Sequence, residues 1–233
     1  GASSPSLNQI VLSSHLMAVY EWGAMKTLMC TLLALAGLLT ARAAVQTRTI
    51  EYKQGDSALE GVLVYDDAVK TKRPGVLIVH QWKGVTDYEL KRAAMLAQLG
   101  YVAFCADIYG KGIRPLTPAE AGAQAGKYKS DRVLLRSRVN AGLAVLQKSE
   151  LVDARRIAAI GYCFGGTTVI ELARSGADIA GVVSFHGGLD SPTPADGKSI
   201  KCKVLACHGA DDPFVPAKDL AAFESEMRDG GAD

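Results

Sequence analysis

The sequence lacks the short motifs by which proteins commonly hold metal ions and nucleotides. It contains no C-x-x-C and no H-E-x-x-H, the spacings typical of zinc sites. It also contains no G-x-G-x-x-G and no G-x-x-x-x-G-K-[ST], which cradle the phosphates of bound nucleotides. The net charge of its 233 residues is only +2, so neither nucleic acid nor an acidic surface is favoured as a partner.

Cysteine is scarce as well. The chain has 5 cysteines, too few for the disulfide framework of a small secreted protein. Those outside the N-terminal region are Cys105, Cys163, Cys202 and Cys207. Whether Cys202 or Cys207 is paired stays open on the sequence, and a thiol redox function for these two residues would rest on their spacing alone.

No apolar run is long enough to span a membrane. The run Leu28–Leu39 has about 12 residues, whereas a spanning helix needs about 20. It follows the basic start Met25–Lys26 and precedes Ala41-Arg42-Ala43, the small-x-small pattern of a signal-peptidase site. We therefore predict a secretory signal peptide over residues 25–43. The mature protein is expected to be periplasmic or secreted, without stable anchoring in the membrane.

Residues 1–24 precede this signal and show neither helical nor strand periodicity. We interpret them as an upstream extension, either vector-derived or the result of a misplaced start. Residues 44–233 then form a single domain. The composition of the chain, 48% hydrophobic and 21% charged, is that of a globular protein with a substantial core.

Short apolar runs alternate with helical patterns along residues 44–233. This alternation predicts an α/β fold with a mostly parallel sheet and helices on both faces. The predicted strands are Thr47–Lys53, Leu59–Tyr65, Gly75–His80, Tyr101–Cys105, Ile157–Tyr162, Ile179–Phe185 and Lys203–His208. The predicted helices are Asp87–Leu99, Asp131–Gln147, Phe164–Arg174 and Ala217–Arg228, with a loop and one short helix between Tyr109 and Lys129.

The segment Gly161-Tyr162-Cys163-Phe164-Gly165 fits the pattern G-x-nucleophile-x-G, usually seen with serine, at a predicted strand-to-helix turn. Such a turn is sharp and strained, so the flanking residues must be glycines. The sulfur would lie at a helix N-terminus, which favours a thiolate. The alternative is a buried structural cysteine at a tight turn.

With these residues the chain resembles the dienelactone hydrolases, a cysteine-nucleophile branch of the α/β-hydrolase fold. The matching segments occur in the same order in both and span essentially all of residues 47–233. They are VLIVHQWKGVTDY, LAQLGYVAFCADIYGKG, GYCFGG, SFHGGL and HGADDPFVP. The resemblance implies hydrolysis of a small ester or lactone through a thioester acyl-enzyme, a Cys-His-Asp triad, and no metal or organic cofactor.

The resemblance also assigns roles to individual residues. Cys163 would be the nucleophile and Asp212, rather than Asp211, the acid of the triad. The backbone N–H groups of Phe164 and Trp82 would form the oxyanion hole. A glutamate of the dienelactone hydrolases proper aligns with Gln81, and a neutral amide cannot exchange a proton with the cysteine.

No histidine follows Asp212, although the base of the triad should come after the acid. We therefore expect the chain to lack a final strand and helix, with the histidine base beyond Asp233. Gln81, His186 and Tyr128 are possible pocket residues, and His186 is an alternative base.

His80 and His208 are interpreted as structural, the first ending a buried strand and the second fixing the turn that carries the acid. Outside the enzymes, the alternative function is an α/β-hydrolase-fold protein that binds a small ligand and whose thiol is silent. The oligomeric state is not predicted.

Overall fold

The computed structural model describes residues 44–233, so the predicted signal peptide and upstream extension lie outside the described residues. Within this range the strands are β1 (Val45–Gln54), β2 (Ser57–Asp66), β3 (Arg73–Val79), β4 (Val102–Ala106), β5 (Val152–Tyr162), β6 (Gly181–Phe185) and β7 (Lys203–Cys207). The helices are α1 (Asp87–Gln98), α2 (Pro118–Ser130), α3 (Arg132–Gln147), α4 (Phe164–Arg174) and α5 (Ala217–Gly230), with a 3₁₀ helix at Pro194–Ser199.

The strands form one sheet in the order β1-β2-β4-β3-β5-β6-β7. β1 pairs with β2 and β2 with β4 in antiparallel fashion, while the strands from β4 to β7 are parallel. Because parallel strands are joined by helical crossovers, their carboxyl ends meet at one edge of the sheet. β3, β5 and β6 therefore bring the segments that follow them to the same place.

Helices cover both faces of the sheet. Leu77 and Val79 of β3 belong to the core beneath α3 and α4, whereas Ile78 belongs to the core beneath α1. This split follows from the two-residue period of a strand, which sends successive side chains to opposite faces. α4 lies deepest, since all its residues are buried.

The predicted α/β architecture with a mostly parallel sheet is confirmed. Two elements differ from the prediction. β5 begins at Val152 instead of Ile157, because Val152 is buried and pairs with Arg73 of β3. The region from Tyr109 to Lys129, predicted as a loop with one short helix, contains most of the 13-residue helix α2, which begins at a capping box formed by Thr117 and Glu120.

The edge strand β7 is covered on one face only. Val204 and Ala206 pack toward α4 and α5, whereas Leu205, on the α1 face, is 56% exposed. The outer edge of β7 meets the end of the described chain, since the Val204 N–H donates to the Asp233 carbonyl over 2.7 Å. No helix among residues 44–233 is long and apolar enough to cross a membrane.

Candidate active site

Cys163 lies at the turn between β5 and α4. Its backbone has φ 55° and ψ −114°, a conformation that costs a non-glycine residue about 1–3 kcal/mol. Two backbone hydrogen bonds hold the turn. The Cys163 N–H donates to the Phe185 carbonyl over 2.9 Å, and the Thr167 N–H donates to the Cys163 carbonyl over 3.2 Å. The thiol is therefore fixed, partly exposed, at the carboxyl edge of the sheet.

The glycines around this turn are required by close approach of backbone atoms. A Cβ atom at Gly161 would lie well under 3.0 Å from the Gly165 carbonyl, and one at Gly165 would lie equally close to the Val79 carbonyl. Real Cβ atoms are essentially never found so near a backbone oxygen. The absence of these two side chains lets α4 begin directly against the end of β3.

The two amides assigned to the oxyanion hole lie on either side of the contact between the start of α4 and the end of β3. Phe164 is the first residue of α4, and Trp82 lies in the loop between β3 and α1. Among residues 44–233, neither N–H donates to a protein acceptor. The Phe164 amide is one of the donors that a helix leaves unpaired at its N-terminus, where the helix dipole also favours negative charge. Both amides can therefore donate to an anionic oxygen.

Tyr109 lies beside Cys163, although the sequence analysis did not single it out. Its hydroxyl donates to the Trp82 carbonyl over 2.9 Å. Burial raises the pKa of the Tyr109 phenol, and charge on Cys163 raises it further, so the phenol stays neutral and remains a donor. The sequence feature that could have identified Tyr109 was its position just beyond the carboxyl end of β4.

Tyr128 lies behind Tyr109 and is fully buried. Its ring stacks on that of Tyr109 with centroids 5.5 Å apart, and its hydroxyl donates to the Tyr109 carbonyl over 2.8 Å. The structure therefore places Tyr128, predicted as a possible pocket residue, in a supporting layer under Tyr109.

Asp212 is paired with His186. The Nδ1 atom of His186 lies 3.0 Å from one carboxylate oxygen, and the Phe214 N–H donates to the other over 2.9 Å. The His186 ring and the Phe214 amide hold the pKa of Asp212 below its ordinary value. Asp211, by contrast, is exposed. The structure thus brings together an acid and a histidine that are 26 residues apart.

His186 follows β6 directly and, like Cys163, has a positive φ, here 53°. Its N–H donates to the Cys207 carbonyl over 2.9 Å. Since Tyr162 and Phe185 pair in register on β5 and β6, Cys163 and His186 occupy adjacent positions at the carboxyl edge of the sheet.

His208, predicted to fix the turn that carries the acid, has a buried ring Nδ1 without a hydrogen-bond partner among the described residues. The turn is closed instead by its own backbone, where the Asp212 N–H donates to the Gly209 carbonyl over 3.2 Å.

His80 is fully buried at the end of β3. Its Nδ1 lies 2.5 Å from the Gln81 carbonyl, and its Nε2 accepts the Ile108 N–H over 3.2 Å. Because Nε2 accepts, Nδ1 must carry the proton and donate. Burial lowers the pKa of His80, so the ring is neutral. Gln81 itself is partly buried in the same loop.

Glu89 is a second residue that the sequence analysis missed. Its fully buried carboxylate accepts the Gln81 N–H over 3.3 Å and the Thr86 N–H over 2.8 Å. Thr86 and Glu89 form the capping box of α1, a T-x-x-E signal that is visible in the sequence. This carboxylate therefore ties the Trp82 loop to the start of α1.

Arg132 and Arg136 of α3 form ion pairs with neighbouring elements. Arg132 and Arg136 bind Glu171 of α4, and Arg136 also binds Asp196 over 2.7 Å. Ion pairing offsets part of the cost of burying these charges, although Nε and Nη1 of Arg132 and Nη2 of Arg136 have no hydrogen-bond partner among the described residues. These arginines join α3 to α4.

No group of three or more His, Cys, Asp or Glu suited to a metal ion occurs among residues 44–233.

Comparison with known proteins places the chain in a hydrolase family. The profile of the dienelactone hydrolase family matches residues 59–233. A probable 2-oxo-3-(5-oxofuran-2-ylidene)propanoate lactonase from Bradyrhizobium sp. is 30% identical over 170 residues, which cover 69% of this chain and 68% of that protein. A carboxymethylenebutenolidase from Pseudomonas putida is 24% identical, covering 73% of this chain and 74% of the relative.

Solved structures agree. The structure titled m3DLH superposes with a TM-score of 0.79 at 39% identity, covering 82% of this chain and 79% of the other. A dienelactone hydrolase-like promiscuous phosphotriesterase from metagenomic libraries superposes with a TM-score of 0.77 at 36% identity and the same coverage. These relatives support a hydrolase that acts on lactones or esters. The chain belongs to the dienelactone hydrolase family.

Proposed function

We propose that the protein hydrolyses carboxylic esters or lactones through a covalent thioester on Cys163. The observation that carries this proposal is the strained turn that holds Cys163 at the N-terminus of α4. Strain of this kind is kept where surrounding structure enforces it, and it concentrates at functional sites. A buried structural cysteine needs neither the strain nor the flanking glycines.

The chemistry follows from the placement of these groups. The Cys163 thiolate attacks the carbonyl carbon and forms an S–C bond, while the carbonyl oxygen takes up the negative charge. The amides of Phe164 and Trp82 stabilise that charge. The tetrahedral intermediate collapses to a thioester and expels the alcohol, which receives the proton taken from the thiol. Water then attacks the thioester, releasing the carboxylic acid and restoring the thiol.

A trapped acyl-enzyme tests the proposal. The full natural protein is mixed with p-nitrophenyl butyrate, quenched in acid and digested. We expect the mass of one butyryl group on the peptide that carries Cys163, lost on treatment with hydroxylamine. The exposed Cys207 is the internal control for unspecific acylation. Acyl groups on Cys207 alone, or none at all, would contradict a Cys163 nucleophile and favour the silent binding protein.

The proposed substrate class rests on the relatives and on one residue, Gln81, that differs from the family's glutamate. Two of the relatives are named for action on lactones or butenolides, and another for phosphotriesters. With Gln81 in place of the family's glutamate, no carboxylate at that position can exchange a proton with the thiol. We propose small esters and lactones as the substrates, with thiolate formation resting on the histidine base and the N-terminus of α4.

The base is proposed to be a histidine beyond Asp233, oriented by Asp212. One contact supports this. The Val204 N–H at the outer edge of β7 already donates to the Asp233 carbonyl, which is how a further parallel strand would begin. Asp212 lies in the loop after β7, where one carboxylate oxygen accepts the Phe214 N–H and the other is bound to His186. A histidine beyond Asp233 would have to replace His186 at the second oxygen.

Sequencing the coding DNA downstream of the Asp233 codon should reveal an apolar strand and then a histidine. In the full natural protein, replacing that histidine by alanine should lower kcat by about 10⁴-fold or more, whereas His186→Ala should lower it far less. The opposite ranking, or a stop codon directly after Asp233, would overturn this assignment. In the first case the base would be His186.

The protein is also proposed to be exported. The support is the signal-peptide pattern of residues 25–43 with its Ala41-Arg42-Ala43 site. An exported hydrolase would meet its substrate in the periplasm or outside the cell.

A further inference from the structure

The oxyanion donor on Trp82 belongs to a peptide unit whose other polar group is the Gln81 carbonyl. A peptide unit is planar and trans, so its C=O and N–H point in opposite directions. Any group that fixes the Gln81 carbonyl therefore fixes the direction of the Trp82 N–H.

His80 supplies the main contact. Its Nδ1–H donates to the Gln81 carbonyl over 2.5 Å, whereas the only other donor among the described residues, the Gly84 N–H, lies 3.4 Å away. The second ring nitrogen accepts the Ile108 N–H, which locks the tautomer with the proton on Nδ1. The imidazole can therefore donate only through Nδ1, toward the Gln81 carbonyl.

Packing fixes the orientation of the same ring. His80 stacks on Phe164 with centroids 5.7 Å apart and planes inclined by 22°. It also meets Tyr109 edge-on at 4.7 Å. Phe164 carries the other oxyanion amide, and Tyr109 donates to the Trp82 carbonyl. One buried ring therefore contacts Phe164, which carries one amide of the hole, and Tyr109, which binds Trp82 through its carbonyl.

We propose that His80 is the positioning residue of the oxyanion hole, acting through the Gln81 carbonyl to aim the Trp82 N–H at the developing charge. This rests on the proposed function. His80 itself does not touch substrate. Donation to the carbonyl also polarises the peptide unit, which strengthens its N–H as a donor. The histidine at the end of β3 thus sets the rate of acyl transfer without taking or giving a proton.

Two substitutions separate the two ring nitrogens. In His80→Asn the carboxamide nitrogen can take the place of Nδ1 and donate to Gln81, while the Ile108 N–H loses its acceptor. In His80→Gln the carboxamide oxygen can take the place of Nε2 and accept from Ile108, while the Gln81 carbonyl loses its donor. Each variant gives up one buried hydrogen bond, so the pair is matched for structural damage.

We expect His80→Gln to lower kcat on p-nitrophenyl butyrate by about 10- to 100-fold with KM little changed, since a misaimed donor approaches the loss of that donor. His80→Asn should keep most of the activity. If His80 had only a structural role, the loss of kcat in each variant would instead parallel its loss of Tm. Equal losses in both variants, or no loss in His80→Gln, would overturn the proposal.

A second measurement compares two reactions of Cys163 in the full natural protein. A p-nitrophenyl alkylphosphonate forms an S–P bond, expels p-nitrophenolate and places charge on the phosphoryl oxygen. Iodoacetamide forms an S–C bond, expels iodide and places no charge in the hole. His80→Gln should slow phosphonylation about 10- to 100-fold and leave alkylation unchanged.

The outcomes also separate this inference from the proposed function. If Cys163 of the unsubstituted protein reacts with neither the ester nor the phosphonate, the proposed function fails. If it reacts with both and His80→Gln reacts equally fast, only the role of His80 fails. Slower alkylation in His80→Gln would mean that the substitution acts on the thiol instead of the hole.

Discussion

Replacing Cys163 with alanine should lower kcat for ester hydrolysis by about 10⁴-fold or more, since removal of a nucleophile leaves only the contribution of the oxyanion hole and of binding. The oxyanion amides belong to the backbone and stay in place, so substrate should still bind. Steady-state kinetics on p-nitrophenyl butyrate and on a small lactone measure the loss, and equilibrium binding of the product acid tests the intact pocket.

The matched control is Cys207→Ala. Cys207 is another thiol near the carboxyl edge of the sheet, but it is exposed and free. Its backbone carbonyl, which holds His186, is kept in the alanine variant. We expect wild-type kinetics from Cys207→Ala. A Cys163→Ala protein with near-normal kcat would refute covalent catalysis by Cys163, even if Cys207→Ala were also fully active.

Gly161→Ala should destabilise the protein severely, by about 4 kcal/mol or more. The new methyl group would lie well under 3.0 Å from the Gly165 carbonyl. This oxygen is part of the backbone of α4, which is buried along its whole length, so it cannot move aside cheaply. A fall in Tm of about 10 °C or more is expected, measured by differential scanning calorimetry or circular dichroism.

Gly126→Ala is the control for this prediction. Gly126 lies in α2, is exposed, and a Cβ atom there would meet nothing within 4 Å. Alanine should stabilise the helix by about 0.5–1 kcal/mol, because it restricts the unfolded chain more than glycine does. If Gly161→Ala and Gly126→Ala had similar melting temperatures, the close approach at the turn would not be the reason for glycine at position 161.

Much of the fold could be predicted from local patterns. Continuous apolar runs such as GVLIVH predict parallel strands, because the strands of a parallel sheet are buried on both faces. Helix α2 shows the limit of this approach, because only one short helix was predicted in the region that it occupies. Its Ala- and Gly-rich sequence carries little periodicity, so the capping box of Thr117 and Glu120 was the better signal.

The strand-to-helix turn at Cys163 could also be predicted, but the contacts around it could not. The glycines around Cys163 indicate a sharp turn because their spacing is local. The bond from Tyr109 to Trp82 and the pairing of Asp212 with His186 join segments that are far apart in the chain. No periodic pattern encodes such contacts.

The sequence by itself determined the α/β class, the turn that presents Cys163 and the family resemblance, since each depends on patterns within short segments and on their order along the chain. Only the tertiary structure decided which tautomer His80 adopts, which oxygen holds His186, and that Arg132 is buried against Glu171. Burial and hydrogen-bond partners depend on how separate strands and helices pack. They therefore become defined only when the sheet brings its carboxyl ends together.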